Sequence, residues 1–274
     1  GKNVFDVLRA ACINPIIHYA LPVGQLREGD GADFIVVQDL EKFEVLATYI
    51  RGEKVAENGK TRIPRVKNEV INHFNTSPKK PADFQIPSQN KQVRVIEALD
   101  GQLITPEIQG EILVQEGFAF SNPAKDILKI TVVNRYQDAP PALAFIKNFG
   151  VKEGAIASSV GHDSHNIIAV GVDDASICRA VNLLIEAKGG VSAVWGDQEE
   201  VLPLAVGGIM SPEDGYEVAA AYTRIDRMAK AMGSTLNSPF MTLSFMALLV
   251  IPDLKLSDKG LFDGRKFEFT DLFI

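Results

Sequence analysis

Cysteine is nearly missing from this 274-residue chain, which has only Cys12 and Cys178, far apart. Two distant thiols exclude a disulfide framework and point to a reducing compartment, the cytoplasm. Histidine is scarce too, with four in all, and nowhere does a His-x-His pair occur. Positive charge is in deficit, with 28 Lys and Arg against 35 Asp and Glu and a formal net charge of -7. That balance argues against a nucleic-acid surface. The short basic spots, Lys79-Lys80 and Arg62 with Arg65 and Lys67, read as solvated linker. There is no long apolar run. The most apolar stretch, residues 241–251, is about half the ~20 residues a membrane span needs. Bounded by Pro239 and Pro252, it reads as core. No signal peptide stands at the start.

What is present describes a soluble globular protein: 46% hydrophobic residues, 23% charged, and mean hydropathy of +0.05. The length suits one large domain or two ordinary ones. The chain opens on Gly1 rather than Met and enters helix at once, which reads as a cut fragment.

Asn3 can cap a first helix whose apolar residues Val4, Phe5, Leu8, Ala11 and Cys12 keep helical spacing, with a stop at Asn14-Pro15. Strands follow at 34–37 and 45–50, and a turn at 51–53 leads into 54–56. These are too few to close a sheet. Residues 59–90 carry Pro64, Pro78, Pro81 and Pro87 and read as linker, with a short helix around 68–74. Strands are expected at 93–96, 112–114 and 126–136, and a short helix around 142–149. Asp173 or Asp174 caps a helix with the stripe Ile177, Ala180, Val181, Leu184 and Ile185, ended by Gly189-Gly190. A hairpin turns at Gly196-Asp197. Ser211, Pro212 and Asp214 start a helix carrying Val218, Tyr222, Ile225, Ala229 and Met232. The expected class is α+β, a mixed or antiparallel sheet with helices on its faces.

The run Ser158-Ser159-Val160-Gly161-His162-Asp163-Ser164-His165-Asn166 places two of the four histidines three residues apart, between apolar stretches that read as buried strand. Buried polar groups left without partners cost ~1–3 kcal/mol each, so such a knot is hydrogen-bonded, metal-bound or catalytic. One reading is a hydrogen-bonded turn between strands. The other is a site built from His162, Asp163, Ser164, His165 and Asn166. In a helical turn the two imidazoles would share a face; in a strand they would point apart. His18 reads as packing or capping, His73 as solvated, and Cys178 as an inert core thiol. Met228, Met232, Met241 and Met246 read as core filler. Gly207-Gly208 reads as a turn, since no Lys-Ser/Thr follows it for a phosphate loop.

The segment Val23 through Val37, with Gly24, Gly29-Asp30-Gly31, Ala32-Asp33 and the strand Phe34-Ile35-Val36-Val37, resembles the ending of the amidohydrolase superfamily. Asp33 there reads as a residue that satisfies backbone donors. Gly154-Ala155-Ile156-Ala157-Ser158-Ser159 with His162-Asp163-Ser164-His165-Asn166 resembles the C-terminal domain of bacterial adenine deaminases. So do Pro239-Phe240-Met241-Thr242-Leu243-Ser244-Phe245 and the stretch from Ile251-Pro252-Asp253-Leu254 to Leu261. Asn134-Arg135-Tyr136 stands where a more acidic, histidine-bearing strand end is expected, and Gly161 where alanine is more usual.

The resemblance implies a layout. Residues 1–58 would be the last barrel helix and β-sandwich strands of an amidohydrolase (β/α)8 barrel, 59–90 a linker, and 91–274 the α+β domain. It implies hydrolysis of adenine to hypoxanthine and ammonia by metal-bound hydroxide, on a divalent pair of manganese or iron. It places every metal ligand upstream, so no metal or cofactor ligand is expected here and the fragment alone should be inactive. It also implies a homodimer in purine catabolism, with adenine as its small-molecule partner and neither nucleic acid nor membrane. The His162–Asn166 run would be an accessory at the purine site. Two other readings stay open: a non-catalytic lid or dimerisation domain, and a self-contained metal hydrolase using His162, Asp163, Ser164 and His165.

Overall fold

A computed structural model describes residues 1–274. The chain divides into two compact units, Gly1–Lys67 and Asn68–Ile274.

In the first unit Asn3 caps α1 (Val4–Leu8), its side-chain oxygen accepting the Phe5 N–H at 2.8 Å. Asn14-Pro15 does not stop the helical path. A π-helical turn, Arg9–Ile13, runs straight into α2 (Asn14–Tyr19), which ends at Ala20 in the left-handed conformation. The path changes register just before the proline, where the Asn14 N–H donates to the Arg9 carbonyl in the π-helical pattern. Four antiparallel strands follow in order, β1 (Phe34–Val37), β2 (Val45–Ile50), β3 (Glu53–Glu57) and β4 (Lys60–Thr61). Asp33 does satisfy backbone donors: its carboxylate accepts the Gly24 N–H at 2.8 Å and the Arg51 N–H at 2.7 Å. These bonds hold its pKa below the usual carboxylate value. Gly24 has no alternative there, since a Cβ would stand 1.7 Å from the Gly31 carbonyl oxygen.

The second unit opens with segment 68–90. It carries no helix over 68–74, only a 3-10 turn at Pro81–Phe84 and β5 (Ile86–Pro87). Yet Phe74, Phe84 and Ile86 are buried in the cores of this unit. The stretch expected as linker therefore divides at Lys67, and its second part is packed structure. The strands β6 (Gln92–Glu97), β7 (Glu107–Glu111), β8 (Leu113–Gln115), β9 (Phe118–Phe120), β10 (Ile127–Val133), β11 (Ala142–Lys147), β12 (Ala155–Ser158) and β13 (Ile167–Gly171) come next. Helix α3 (Asp174–Glu186), the hairpin β14 (Gly190–Trp195) and β15 (Gln198–Pro203), α4 (Gly215–Ala231) and α5 (Pro239–Ser244) follow. The strands β16 (Leu254–Ser257), β17 (Gly260–Asp263) and β18 (Glu268–Phe269) close the chain.

Eight strands form the main sheet, in the order β15-β14-β12-β13-β10-β11-β6-β7. Only β11 and β6 run parallel. The small sheets β5-β9-β8 and β16-β17-β18 flank it. Alternation assigns the faces. Ile156, Ile168 and Val170 join Ile225, Phe240 and Leu243 of α4 and α5. Ala155, Ala157, Ile167 and Ala169 join Ile177, Val181 and Leu184 of α3. Mixed α/β content with several sheets and few helices accords with the α+β class.

Residues 142–147 are strand, not the expected helix. As an inner strand, β11 has Ala144 and Ile146 in one core and Phe145 in another, so its apolar run carries no readable period. Lys129 is fully buried in β10, where its ammonium pairs with Asp174 and donates to the Phe84 carbonyl at 2.8 Å. No helix is long and apolar enough to cross a membrane.

Candidate functional site

The histidine run is the connection between β12 and β13, whose last pair is Ser158 with Ile168. It forms a compact turn rather than strand or helix. The His162 N–H donates to the Ser244 carbonyl at 2.8 Å, and the His165 N–H to the Gly161 carbonyl at 2.6 Å. His165 takes a left-handed φ of 52°, which reverses the chain toward β13. A Cβ on Gly161 would lie 3.1 Å from the Asn166 carbonyl oxygen, so alanine here would need a small shift of that neighbour.

The five residues part company in this turn. Asn166 is buried, and its side-chain oxygen accepts the Arg135 backbone N–H at 3.2 Å. Arg135 is itself buried. Its guanidinium donates to the Gly207 carbonyl at 2.6 Å and to the Tyr136 hydroxyl at 2.9 Å. Tyr136 in turn donates to the Ser164 carbonyl at 2.7 Å. Gly208 makes room for this arrangement, since a Cβ on it would fall 1.8 Å from an Arg135 nitrogen. His165 leans toward this cluster, and its Nδ1 and the Arg135 Nε are both buried without a partner. Burial first, then the charges of His162 and Arg135, hold the His165 pKa below its usual value. The side chains of Asp163 and Ser164 are exposed.

His162 looks the other way. Its ring lies 4.8 Å from that of Phe245 and meets His165 edge-on at 5.7 Å, and no hydrogen bond engages it. It borders a cleft of about 430 Å³ between the sheet and α4 and α5, with Ser158, Tyr222 and Phe240 among its walls. Sequence reasoning missed Arg135, Tyr136, Tyr222 and Phe245. Only the polar strand end Asn134-Arg135-Tyr136 gave a local signal, and it was read as a departure rather than as a partner.

The donor set does not fit a metal. His162 and His165 stand edge to face, and no group of three or more His, Cys, Asp or Glu side chains is placed to hold an ion. The self-contained metal hydrolase therefore lacks its ligands. Elsewhere, His18 is exposed in the last turn of α2 against Tyr19, and His73 is exposed. Cys178 is buried, its thiol donating to the Lys79 carbonyl at 3.1 Å, with its pKa pushed up by burial. Met228, Met232 and Met246 are core residues, but Met241 is 56% exposed, at the wall of that cleft. Gly207 and Gly208 take φ of 62° and 73° in a turn.

Residues 102–268 match the adenine deaminase C-terminal domain family, and residues 2–55 match the amidohydrolase family. An adenine deaminase of Salinibacter ruber is 51% identical over 276 residues, covering 100% of this chain and 50% of its own. One from Sulfurovum sp. (strain NBC37-1) is 56% identical over 272 residues, covering 99% of this chain and 50% of its own. One from Methanosarcina acetivorans is 50% identical over 283 residues, with 100% and 51% covered. The chain thus spans about half the length of the curated relatives it matches.

Proposed function

Because this chain belongs to the adenine deaminase C-terminal domain family, we propose that it is the C-terminal part of an adenine deaminase, a hydrolase that turns adenine and water into hypoxanthine and ammonia. The observation that carries the proposal is the pair of family matches over residues 102–268 and 2–55, in one chain. A divalent metal pair, manganese or iron, would supply an activated water for such chemistry. In this reading the ligands of that metal lie outside the chain and the chain alone is inactive. The enzyme acts in purine catabolism as a cytoplasmic homodimer, without nucleic acid or membrane.

Within that enzyme the His162–Asn166 turn serves the purine. His162 is the contact residue: its unengaged ring can hydrogen-bond the base edge or pass a proton to the departing amine. Exposed Asp163 and Ser164 flank it at the same surface. His165, whose pKa its surroundings hold below the usual value, supports the His162 ring edge-on. Asn166 is a positioning residue that ties the turn to the end of β10.

One observation favours a second reading for part of the run. The bonds from Tyr136 to Ser164 and from Arg135 to Asn166 form an internal network of the kind a non-catalytic lid or dimerisation domain would use. The readings separate in a chimera that joins the first half of the Salinibacter ruber relative to this chain. The proposal expects conversion of adenine to hypoxanthine that falls when His162 is replaced. A folded, metal-loaded chimera that leaves adenine unchanged contradicts it.

A further inference from the structure

We propose that the cleft between the main sheet and helices α4 and α5, which the His162 ring borders, binds a neutral planar nitrogen heterocycle of purine size without a metal. Its volume, about 430 Å³, falls inside the ~300–1,000 Å³ typical of small-molecule sites. The walls are apolar, with Val191, Leu202 and Leu204 from the sheet side and Val218 and Phe240 from the helices. No Lys, Arg, Asp or Glu lines it, which excludes a phosphate or carboxylate ligand.

Four polar side chains break this apolar lining; the Ser244 hydroxyl donates to the Met241 carbonyl at 2.7 Å, and the other three have hydrogen-bonding capacity to spare. Ser158 is 1% exposed. Its oxygen accepts the Val160 N–H at 3.0 Å, while its own O–H meets no acceptor. Such an unmet buried donor costs ~1–3 kcal/mol, and an occupant with an acceptor nitrogen would relieve it. The Tyr222 hydroxyl, half-buried, meets no hydrogen-bond partner either, and its ring packs 6.1 Å from that of Phe240. His162 completes the set with free ring nitrogens. Aromatic panels favour a flat ring as occupant, and an alkyl chain would leave Ser158, Tyr222 and His162 unmet. A ring with acceptor and donor atoms on its edge carries the kind of partner that each of the three lacks. The naming of purine among such rings rests on the proposed function; the cleft and its unmet groups do not. The cleft offers no metal ligand set, so this chain by itself holds the base without converting it.

Calorimetric titration of adenine and hypoxanthine into this chain, with chelator present, tests the inference. Ala219→Trp fills the cleft from an exposed position on α4, and Tyr222→Phe removes one hydroxyl. Expected are binding of one base per chain, a loss of roughly 5-fold with Tyr222→Phe and abolition with Ala219→Trp, with unchanged circular dichroism. Absence of binding at millimolar base overturns the proposal, as does unchanged affinity in a folded Ala219→Trp protein. Tighter binding of octanoate than of adenine overturns the ligand class. An active chimera without cleft binding defeats this inference alone, whereas cleft binding with an inactive chimera defeats the proposed function alone.

Discussion

The side-chain oxygen of Asn166 accepts the backbone N–H of Arg135 at 3.2 Å, fastening the histidine turn to the end of β10. Removing that acceptor strands a buried donor. Asn166→Ala is expected to cost about 1–3 kcal/mol of stability, read as a lower urea midpoint without a change in slope. A midpoint equal to that of the unsubstituted chain would show that the bond does not hold the turn.

His165 is the group whose ionisation the turn resists. Its folded pKa lies below the value of 6.5 expected for an unperturbed histidine. The unfolded chain therefore takes up the proton first as pH falls, and stability declines from about the ordinary histidine pKa downward toward the folded one. NMR titration of the imidazole should place its midpoint below the ordinary value. Arg135→Met, which removes one repelling charge, should move the midpoint upward. A midpoint at or above the ordinary value would contradict the burial of this ring.

Lys255 is fully buried, and the hydrogen bond its ammonium makes is to the Leu103 carbonyl at 2.7 Å. Burial lowers its pKa from 10.5 to about 8. Between those values the unfolded chain holds a proton that the folded chain has released, so stability rises as pH increases through this window. Below pH 8 the charged amine is carried at a cost. Lys255→Met should stabilise the fold by about 1–3 kcal/mol at neutral pH and flatten the rise in alkali. Urea midpoints at pH 7 and pH 10 check both effects, and a destabilised, equally pH-dependent variant would refute them.

Phe84 is fully buried in the core beneath α3, although it lies in a stretch rich in proline and lysine. Phe84→Ala should cost about 3–5 kcal/mol, and proteases should cut within 68–90 only after the second unit melts. Rapid cleavage there in the native protein would show that the segment is a linker after all.

The polar turn was legible in the sequence because hydrophilic residues interrupted two runs, 155–158 and 167–171, that fit buried strand. The start of α3 was legible through Asp173, which does cap it, whereas the start expected from Ser211-Pro212 falls three residues later, with Asp214 as the cap of α4. The strand β11 was not, because an inner strand buried on both faces loses its alternation. Met241 misled because a six-residue helix in an apolar stretch still leaves one residue exposed. The partners of Arg135 were hidden for a different reason. Gly207 and Asn166 come from separate loops that only the sheet order brings together. The cleft likewise exists only where β12, β14, β15, α4 and α5 meet, so no local pattern announces it.

The most direct measurement of the central claim is the kcat/KM for adenine of the chimera with and without His162→Ala, with bound metal assayed in parallel. The account expects a loss of at least ~10-fold at unchanged metal content, as removal of a proton-transferring or base-contacting group would give. Equal kcat/KM in the two proteins would contradict it.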